Sequence, residues 1–472
     1  MADAIIYNCI WINHAPIRPI GAHQIADWLR KWGYTVTVID FCNFITTEDL
    51  YKITLRHLDT NTKFIGVNST FWSEVPYITS NFDVNGKPNT LEPQWLIDIR
   101  EQLGQVNIDW VLGGVYASYP DRLFKYTWKK ISGFGEDLIL KYMDERSGKK
   151  RTLKPFDIVS LNSRFLSSNF IQPNEVLPIE LSRGCQFKCS FCRYPLLGKK
   201  KGTYIRHMDC VREELLYNFF NFGTTKYFFM DDTVNESDEK ISELAELAQK
   251  LPFKLQWVGY NRLDLIGSRR HSIETLKHTG LVSSYFGIES FHPTASKIIG
   301  KGWNGVHAKN FILELREHWG NDINFHLQFI VGLTGENEDF IDRTESWCIE
   351  NKISDWGWNP LSIKQGDENF YWKSEFDRNY RMYGYKFINN NYWEWTNQDW
   401  TYTSALNKSR QLKEKDNNKF PSAWLLAELS SHGDNILTLM HTRRKDIDFA
   451  LLHNKTRQFV NNYVSNMLSN NH

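Results

Sequence analysis

Short apolar runs alternate with amphipathic stretches along the first 145 residues. The runs "AIIYNCIWI", "YTVTVID", "KFIGVNST", "IDWVLGG" and "KKISGFGE" predict strands, each broken by a turn. Between the first two lies "GAHQIADWLRKWG", which has the period of a helix and ends at a glycine. This alternation predicts a doubly wound α/β domain over residues 1–145.

The carboxyl ends of these predicted strands form the edge where a doubly wound sheet binds ligands. The residues expected at this rim are Asn13, His14, Ser69, Thr70, Gly113, Gly114 and Gly135. Gly113 and Gly114 would allow a ligand to approach the backbone closely. The alternative is that this glycine pair only makes a tight turn.

The alternation restarts after a polar, Ser/Asn-rich stretch at 146–175, which we interpret as a linker. Six further strands are predicted, at "LPIELS", "KYFFMDD", "KLQWVGYN", "VSSYFGIES", "INFHLQFIVGL" and "DWGWNPLSI". With the helical patterns between them they predict an open or closed (β/α)6 partial barrel over 176–365, whose chemistry gathers at the carboxyl ends of the strands.

Aromatic residues are dense in the remaining segment, 366–472, which ends on an amphipathic helix. We expect an α-rich extension whose aromatic side chains form the core of a lid over the barrel mouth. The alternative is that some of them stack on a flat substrate.

Composition narrows the class of protein. Of 472 residues 41% are hydrophobic and 15% aromatic, which is typical of a folded chain of several domains. A net charge of +1 provides no global attraction to nucleic acid or to an anionic membrane. Since the chain has neither a signal-peptide pattern nor 18 successive apolar residues, we expect a cytoplasmic protein. Seven cysteines in such a compartment favour a metal or redox site over disulfides.

Three of the cysteines follow the first barrel strand at spacing C-x3-C-x2-C: Cys185, Cys189 and Cys192. A closed zinc site takes four ligands, whereas three thiolates at the catalytic edge of a barrel favour a 4Fe-4S cluster with one iron open to a substrate or cosubstrate. The alternative is three buried cysteines, or a zinc site completed by a distant histidine such as His207, as in a non-catalytic metal-binding interaction protein.

This loop, "RGCQFKCSFC", resembles the signature of the radical S-adenosylmethionine (SAM) enzymes, in which an aromatic residue, here Phe191, precedes the last cysteine. The resemblance implies that the open iron binds SAM. It also implies that reductive cleavage yields a 5′-deoxyadenosyl radical that abstracts hydrogen from a substrate. An electron donor such as flavodoxin or ferredoxin is implied as well.

Four later segments resemble the SAM-binding elements of the same family: "FFMDDTV", "GYNRLDLI", "FGIESFHPTASKIIGKG" and "FIVGLTGENED". The resemblance implies contacts to the methionine amino group, its carboxylate, the ribose and the adenine, made in that order by Asp231 with Asp232, Arg262, Glu289 with Ser290, and Ile330 with Gly332. Carboxylates suit an ammonium group and ribose hydroxyls, and a guanidinium suits a carboxylate. Alternatively, the aspartates cap a turn, the arginine forms a surface ion pair and the glutamate closes a helix N-terminus.

The N-terminal half resembles the cobalamin-binding domain that precedes the barrel in one branch of the family, through "PIGAHQIADWLRKWGYTVTVIDF", "LGGVYAS" and "GFGED". It departs from many cobalamin proteins because the D-x-H-x-x-G motif is absent: His14 has Ile12 two before it and Ile17 three after. We therefore expect either cobalamin without His14 coordination, between the rim and the barrel mouth and close to Gly113 and Gly114, or a relic domain that only shapes the substrate entrance.

The sequence thus favours a radical SAM enzyme acting on a small-molecule or flat aromatic substrate, with methyl transfer to carbon if cobalamin binds. A cobalamin-independent radical oxidoreductase, cyclase or isomerase is the alternative. A methylthiotransferase is disfavoured, because such enzymes resemble a chain with three cysteines in the N-terminal domain, and here Cys9 and Cys42 stand alone.

Overall fold

The computed structural model describes the chain except residues 11–16, 71–90, 105, 120, 122–123, 153, 195, 302, 365–372, 389–393, 415–418 and 470–472. Two of the predicted rim residues, Asn13 and His14, lie outside the described residues. The described chain builds two separate parallel sheets, each with helices packed on it.

The first sheet has five parallel strands in the order β2-β1-β3-β4-β5. The strands are β1 Ala4–Asn8, β2 Val36–Ile39, β3 Phe64–Asn68, β4 Asp109–Gly113 and β5 Lys129–Lys130. The helices are α1 Ile20–Lys31, α2 Thr47–His57, α3 Gln94–Gln102 and α4 Gly135–Arg146. Helices α1 and α4 cover one face and α2 and α3 the other, so the doubly wound arrangement is confirmed.

The last predicted strand of this sheet is shorter than expected. In "KKISGFGE" only Lys129 and Lys130 pair with β4, and α4 begins at Gly135. Between them Gly133 has φ +98°, a left-handed conformation that favours glycine and turns the chain out of the sheet edge.

The second sheet has six parallel strands in sequential order, with β6 and β11 at its edges, so the barrel is open. Its strands are β6 Leu177–Ile179, β7 Lys226–Phe229, β8 Gln256–Asn261, β9 Leu281–Glu289, β10 Asn324–Val331 and β11 Asp355–Pro360. The helices on its outer face are α5 Met208–Phe222, α6 Asp238–Lys250, α7 Leu263–Ser268, α8 Ser272–His278, α9 Pro293–Ile299, α10 Gly305–Trp319 and α11 Glu338–Glu350. Strand β10 is buried along its whole length, as expected for a central parallel strand covered on both faces.

The C-terminal segment is helical, as predicted, and it contacts both sheets. Its elements are α12 Glu375–Asn379, the hairpin β12 Lys386–Phe387 and β13 Trp395–Thr396, α13 Tyr402–Glu414, α14 Ala423–Ser431, α15 Ile436–Leu439 and α16 Phe449–Ser469. Helix α14 packs on the inner face of the six-stranded sheet, and α16 packs on the first sheet through Phe459 and Tyr463. Trp395 and Trp400 are buried in the barrel core, so these aromatics are packing residues.

Residues 146–175 hold two single 3-10 turns, Ile158–Ser160 and Ser167–Asn169. At their end Glu175 accepts from buried Arg18 Nε at 2.5 Å, and the same guanidinium donates to Asp40 at 2.6 Å. This buried charge cluster fixes the segment against the first sheet.

The domain limits inferred from the sequence stay a prediction. No helix in the described part of the chain is both long and apolar enough to cross a membrane.

Candidate functional site

The three cysteines lie in a loop of residues 182–192, which we call the cysteine loop, between β6 and a strap of residues 196–206 that lies along it. Backbone hydrogen bonds join the two: Cys185 N–H donates to Leu196 O at 3.2 Å, and Gly198 N–H donates to Cys185 O at 2.7 Å. Gly184 has φ +77°, and a Cβ there would lie 2.5 Å from the Leu196 Cβ. The loop therefore needs glycine at 184 to pack against the strap.

Asp231 fixes the start of the cysteine loop from the end of β7. Its carboxylate accepts from the Leu181 N–H at 2.6 Å and from the Ser182 hydroxyl at 2.7 Å, and it pairs with Lys240 Nζ at 2.5 Å. The Asp231 and Lys240 side chains are both 0% exposed. Because both Asp231 oxygens have these internal partners, the structure gives this residue a role in holding the loop.

Asp232, the next residue, faces a large cavity in front of the loop. Burial, followed by the charge of the neighbouring Asp231, raises the pKa of Asp232 to about 7. The two adjacent aspartates that the sequence assigned together thus have different surroundings. Of the two, Asp232 is the one available to a ligand; its contact with the methionine amino group stays a prediction.

The sulfur atoms of the loop have polar neighbours. Cys185 Sγ lies 3.3 Å from Thr233 Oγ1, and Arg262 Nη1 lies 3.5 Å from Cys189 Sγ. Burial raises the pKa of Cys192 to about 12 and also raises that of Cys185, so a metal bound at these sulfur atoms would have to displace their protons. The aromatic Phe191 packs on the barrel core.

The described residues contain no group of three or more His, Cys, Asp or Glu side chains placed to hold one metal ion. A 4Fe-4S cluster does not require such a group, because each cysteine thiolate binds a different iron of the cluster.

Arg262, at the end of β8, is buried and not a surface residue. It donates two hydrogen bonds to Asp264, at 3.0 and 2.6 Å, and its guanidinium lies 3.7 Å from the centre of the Phe187 ring. Because Phe187 and Cys189 both belong to the cysteine loop, the structure brings Arg262 directly to that loop. Its contact with a SAM carboxylate stays a prediction.

Glu289 is the last residue of β9, and Ser290 follows it. Glu289 is buried, has φ +66° and lies 3.4 Å from Lys301 Nζ. A non-glycine residue in this region is strained, and such strain is concentrated at functional sites. The Ser290 hydroxyl donates to Glu336 and accepts from the His292 N–H at 2.8 Å. The structure therefore keeps both residues at the carboxyl edge of the sheet.

Glu336, which the sequence reasoning did not single out, accepts the hydrogen bond from Ser290 at the carboxyl edge of the sheet. It is 2% exposed, and burial raises its pKa to about 8. The available sequence signal was its place in "GLTGENED", directly after Gly335; the φ of +93° at that glycine is seen only in the structure.

The two predicted adenine contacts lie at the end of β10. Ile330 is buried, and Gly332 has φ +102° with Trp395 packed so close that a Cβ would lie 2.5 Å from its ring. The backbone oxygen of Gly332 accepts from the Tyr385 hydroxyl at 3.1 Å. The C-terminal segment thus covers this end of the barrel. Whether adenine lies there stays a prediction.

A cavity of about 920 Å³ lies between the rim of the first sheet and the cysteine loop. On the barrel side it is bounded by Cys189, Cys192 and Asp232, and on the first-sheet side by the rim residues Thr70, Gly113, Gly114 and Gly135. From the rim it continues along the face of the sheet, between the strands and helices α1 and α4. The described lining contains no histidine.

The adjacent rim residues Gly113 and Gly114 are glycines for different structural reasons. Gly114 has φ +82°, and a Cβ there would lie 2.8 Å from Thr70 Oγ1, so the turn itself requires it. Gly113 has no such constraint, since its Cβ would meet nothing closer than Val67 O at 3.9 Å. The tight-turn explanation therefore accounts for Gly114 alone, and Gly113 leaves the cavity wall without a side chain.

The fold and the site together define a class: an open parallel barrel with a three-cysteine loop at its carboxyl edge, facing a doubly wound sheet. Residues 179–348 match the family model of the Radical SAM superfamily. The chain therefore contains a radical SAM domain, as the resemblance of the cysteine loop to the family signature implied.

Among curated proteins, the bacteriochlorophyllide d C-12(1)-methyltransferase of Chlorobaculum tepidum is 26% identical over 183 residues, which are 38% of this chain and 39% of that protein. An uncharacterized methyltransferase of Pyrococcus horikoshii is 25% identical over 164 residues, 34% of each chain. The match thus spans less than half of the length of these relatives.

A solved structure of the radical SAM methyltransferase TsrM from Kitasatospora setae, with cobalamin and a [4Fe-4S] cluster bound, superposes with a TM-score of 0.55 at 15% identity. The superposition covers 77% of this chain and 76% of that chain. Because it extends well beyond the radical SAM segment, this likeness shows that the two chains share the fold of more than the barrel.

Proposed function

We propose that the protein is a radical SAM enzyme that methylates an unreactive carbon with the help of a 4Fe-4S cluster, SAM and cobalamin. The observation that carries this proposal is the cavity, which has two cysteines of the three-cysteine loop on one wall and the Gly113 rim on the other. The cysteine loop and the Gly113 rim thus lie on opposite sides of one cavity, and a substrate bound in this cavity would lie next to both.

The cluster and SAM supply a carbon-centred radical, and cobalamin carries a methyl group. The chain's own part is to hold and orient these groups. Cys185, Cys189 and Cys192 are the cluster ligands in this proposal. Arg262, whose Nη1 lies 3.5 Å from Cys189 Sγ, would favour the charged thiolate. Asp232, with a pKa near 7, is placed to accept a hydrogen bond or a proton from a bound ligand.

The cavity has room suited to a corrinoid. Gly21, Gly66 and Gly135 line it where it runs along the sheet face, and Cβ atoms at Gly66 and Gly135 would lie 3.0 Å from neighbouring side chains. A flat macrocycle with a nucleotide tail needs this combination of an open rim and a narrow apolar extension. Because the described lining offers no histidine, the corrinoid is held without an imidazole from these residues.

The substrate in this proposal is a small molecule or a flat aromatic compound, held in the part of the cavity between the rim and the cysteine loop. The electron donor is a small acidic electron-transfer protein of the flavodoxin or ferredoxin type. The tip of the strap supports this choice, since Lys200 and Lys201 are exposed there and Lys199 N–H donates to Cys185 O at 3.2 Å. Exposed lysines so close to a cluster ligand complement an acidic partner.

The test is anaerobic reconstitution with iron, sulfide and hydroxocobalamin, followed by absorption spectra and by SAM cleavage with dithionite or with a flavodoxin system. We expect about four irons and one corrinoid per chain, and cleavage of SAM. Cys189→Ala should lose the cluster absorption, while the control Cys210→Ala, on α5 outside the loop, should keep it.

Uptake of the cluster without corrinoid would leave the cobalamin-independent radical oxidoreductase, cyclase or isomerase. Zinc in place of iron, with no SAM cleavage, would support the non-catalytic metal-binding protein and refute the proposal.

A further inference from the structure

One arginine of the cysteine loop reaches across to the first sheet. Arg183 Nη1 donates to Glu136 Oε1 on α4 at 2.7 Å, and Nη2 contacts Gln24 Oε1 on α1 at 3.3 Å. Its Nε and Nη2 also donate to the two oxygens of Glu180 at the end of β6, both at 3.0 Å. Gln24 Nε2 in turn donates to Glu180 Oε2 at 2.8 Å. The four side chains form one hydrogen-bonded network that spans both sheets.

This network is largely shielded from water. The Arg183 side chain is 14% exposed, and its guanidinium also lies 5.5 Å from the Phe134 ring centre and 5.3 Å from that of Phe156. A planar guanidinium can serve a bidentate carboxylate and a second carboxylate at the same time, which a lysine ammonium cannot. The network therefore depends on arginine at this position.

All four network residues line the cavity between the sheets. Gln24 is the fifth residue of α1 and Glu136 the second of α4, close in the chain to Gly21 and Gly135 of the wall that we assign to the corrinoid. A ligand seated on that wall meets Gln24 and Glu136. It thereby restrains the guanidinium to which both are bonded.

The main chain of Arg183 belongs to the other site. Its N–H donates to Tyr204 O of the strap at 3.0 Å, and it stands two residues before Cys185. A ligand that orders Arg183 from the first sheet therefore also orders the start of the cysteine loop. When two ligands need the same group to be ordered, the entropy cost of ordering falls on the first, and the second binds more tightly.

We propose that Arg183 is a positioning residue that couples the corrinoid site to the SAM site, so that each ligand raises the affinity for the other. This inference rests on the proposed function. Binding coupling is reciprocal, and its usual size is about 5- to 150-fold in affinity.

The experiment measures the dissociation constant of SAM by equilibrium dialysis on cluster-loaded protein, with and without saturating hydroxocobalamin. It also measures corrinoid affinity by absorbance, with and without SAM. In the unsubstituted protein we expect each ligand to lower the dissociation constant of the other by at least about fivefold. We define the coupling ratio as the dissociation constant of one ligand measured alone, divided by its value with the other ligand bound. In Arg183→Met this ratio should fall to about one in both directions, and Arg183→Lys should restore little of it.

Arg193→Met is the matched control. Arg193 follows Cys192 and, like Arg183, lines the cavity, but it anchors the far end of the loop to Asp377 of the C-terminal segment, at 2.5 and 2.6 Å. This variant should bind SAM more weakly and keep the coupling ratio. Glu136→Gln, which keeps Arg183 paired with Glu180, should lower the ratio even if Arg183→Met does not fold.

An unchanged ratio in Arg183→Met or Glu136→Gln would show that Arg183 acts only on the stability of the loop. A ratio of one in the unsubstituted protein, with both ligands bound, would overturn the coupling and leave the proposed function intact. No corrinoid binding at all would overturn both.

Discussion

The ion pair between Lys240 and Asp231 provides the sharpest test of the site's construction. Lys240 Nζ lies 2.5 Å from Asp231, 2.6 Å from Ser182 Oγ and 3.2 Å from Glu236, and its side chain is 0% exposed. Lys240→Met keeps most of the packing volume but leaves the Asp231 carboxylate buried without a cation. Glu236 keeps a cation, because Lys199 Nζ lies 2.9 Å from it.

Leaving one buried charge unpaired costs about 3–5 kcal/mol. We therefore expect Lys240→Met to lower the free energy of unfolding of the barrel by about 3–5 kcal/mol. The double variant Asp231→Asn with Lys240→Met removes both charges. The free energy of unfolding of this double variant should fall by only about 1–2 kcal/mol, because a neutral side chain at 231 accepts weaker hydrogen bonds from Leu181 and Ser182.

The assay is urea unfolding of the cluster-free protein, followed by tryptophan fluorescence, which includes the buried Trp257 of β8. The matched control is Lys52→Met, which breaks an exposed i,i+4 pair with Glu48 and should leave the midpoint unchanged. The pair is not the anchor described here if Lys240→Met lowers the free energy of unfolding by less than about 1 kcal/mol. The same conclusion follows if the double variant loses the sum of the free energies that Lys240→Met and Asp231→Asn lose singly.

Three further outcomes follow from the same structure. Burial raises the pKa of Glu428 on α14 to about 8 from an ordinary value of 4.5, so between these two pH values only the unfolded chain loses the proton. Stability should therefore fall as pH rises from about 4.5 to 8, and Glu428→Gln should flatten that slope in unfolding curves; an identical slope would contradict the burial. Gly113→Val should leave the unfolding midpoint unchanged yet weaken corrinoid binding at least about tenfold in an absorbance titration, because its side chain would enter the cavity. Gly114→Ala should instead destabilise the fold by about 1–2 kcal/mol, since φ +82° is strained for alanine; equal stability of the two variants would refute the distinction. Lys200→Glu with Lys201→Glu should slow SAM cleavage driven by flavodoxin but not by dithionite, and slowing with both would point to damage of the loop.

The sequence determined the elements and their order. Apolar runs with period 2 or with continuous β-branched and aromatic residues predicted both parallel sheets, because a strand covered on both faces must be apolar along its length. The spacing of Cys185, Cys189 and Cys192 indicated a cluster with an open iron, since ligand spacing along one loop is a local property, and the resemblance of that loop to the radical SAM signature indicated the domain. The same local reasoning missed the shortness of β5, which depends on the turn at Gly133 and on its place at the sheet edge.

The tertiary structure alone decided which side chains are free to act. Two adjacent aspartates look equivalent in the sequence, yet Asp231 is held by Lys240 from a helix nine residues further on, while Asp232 faces the cavity. In the same way "SRGC" marks Arg183 only as a neighbour of a cysteine, and its partners Gln24 and Glu136 lie 159 and 47 residues away along the chain. Local pattern fixes strands, helices and loop ligands because neighbouring residues set them. Burial, charge pairing and cavities depend on residues distant in sequence, so only the folded chain determines them.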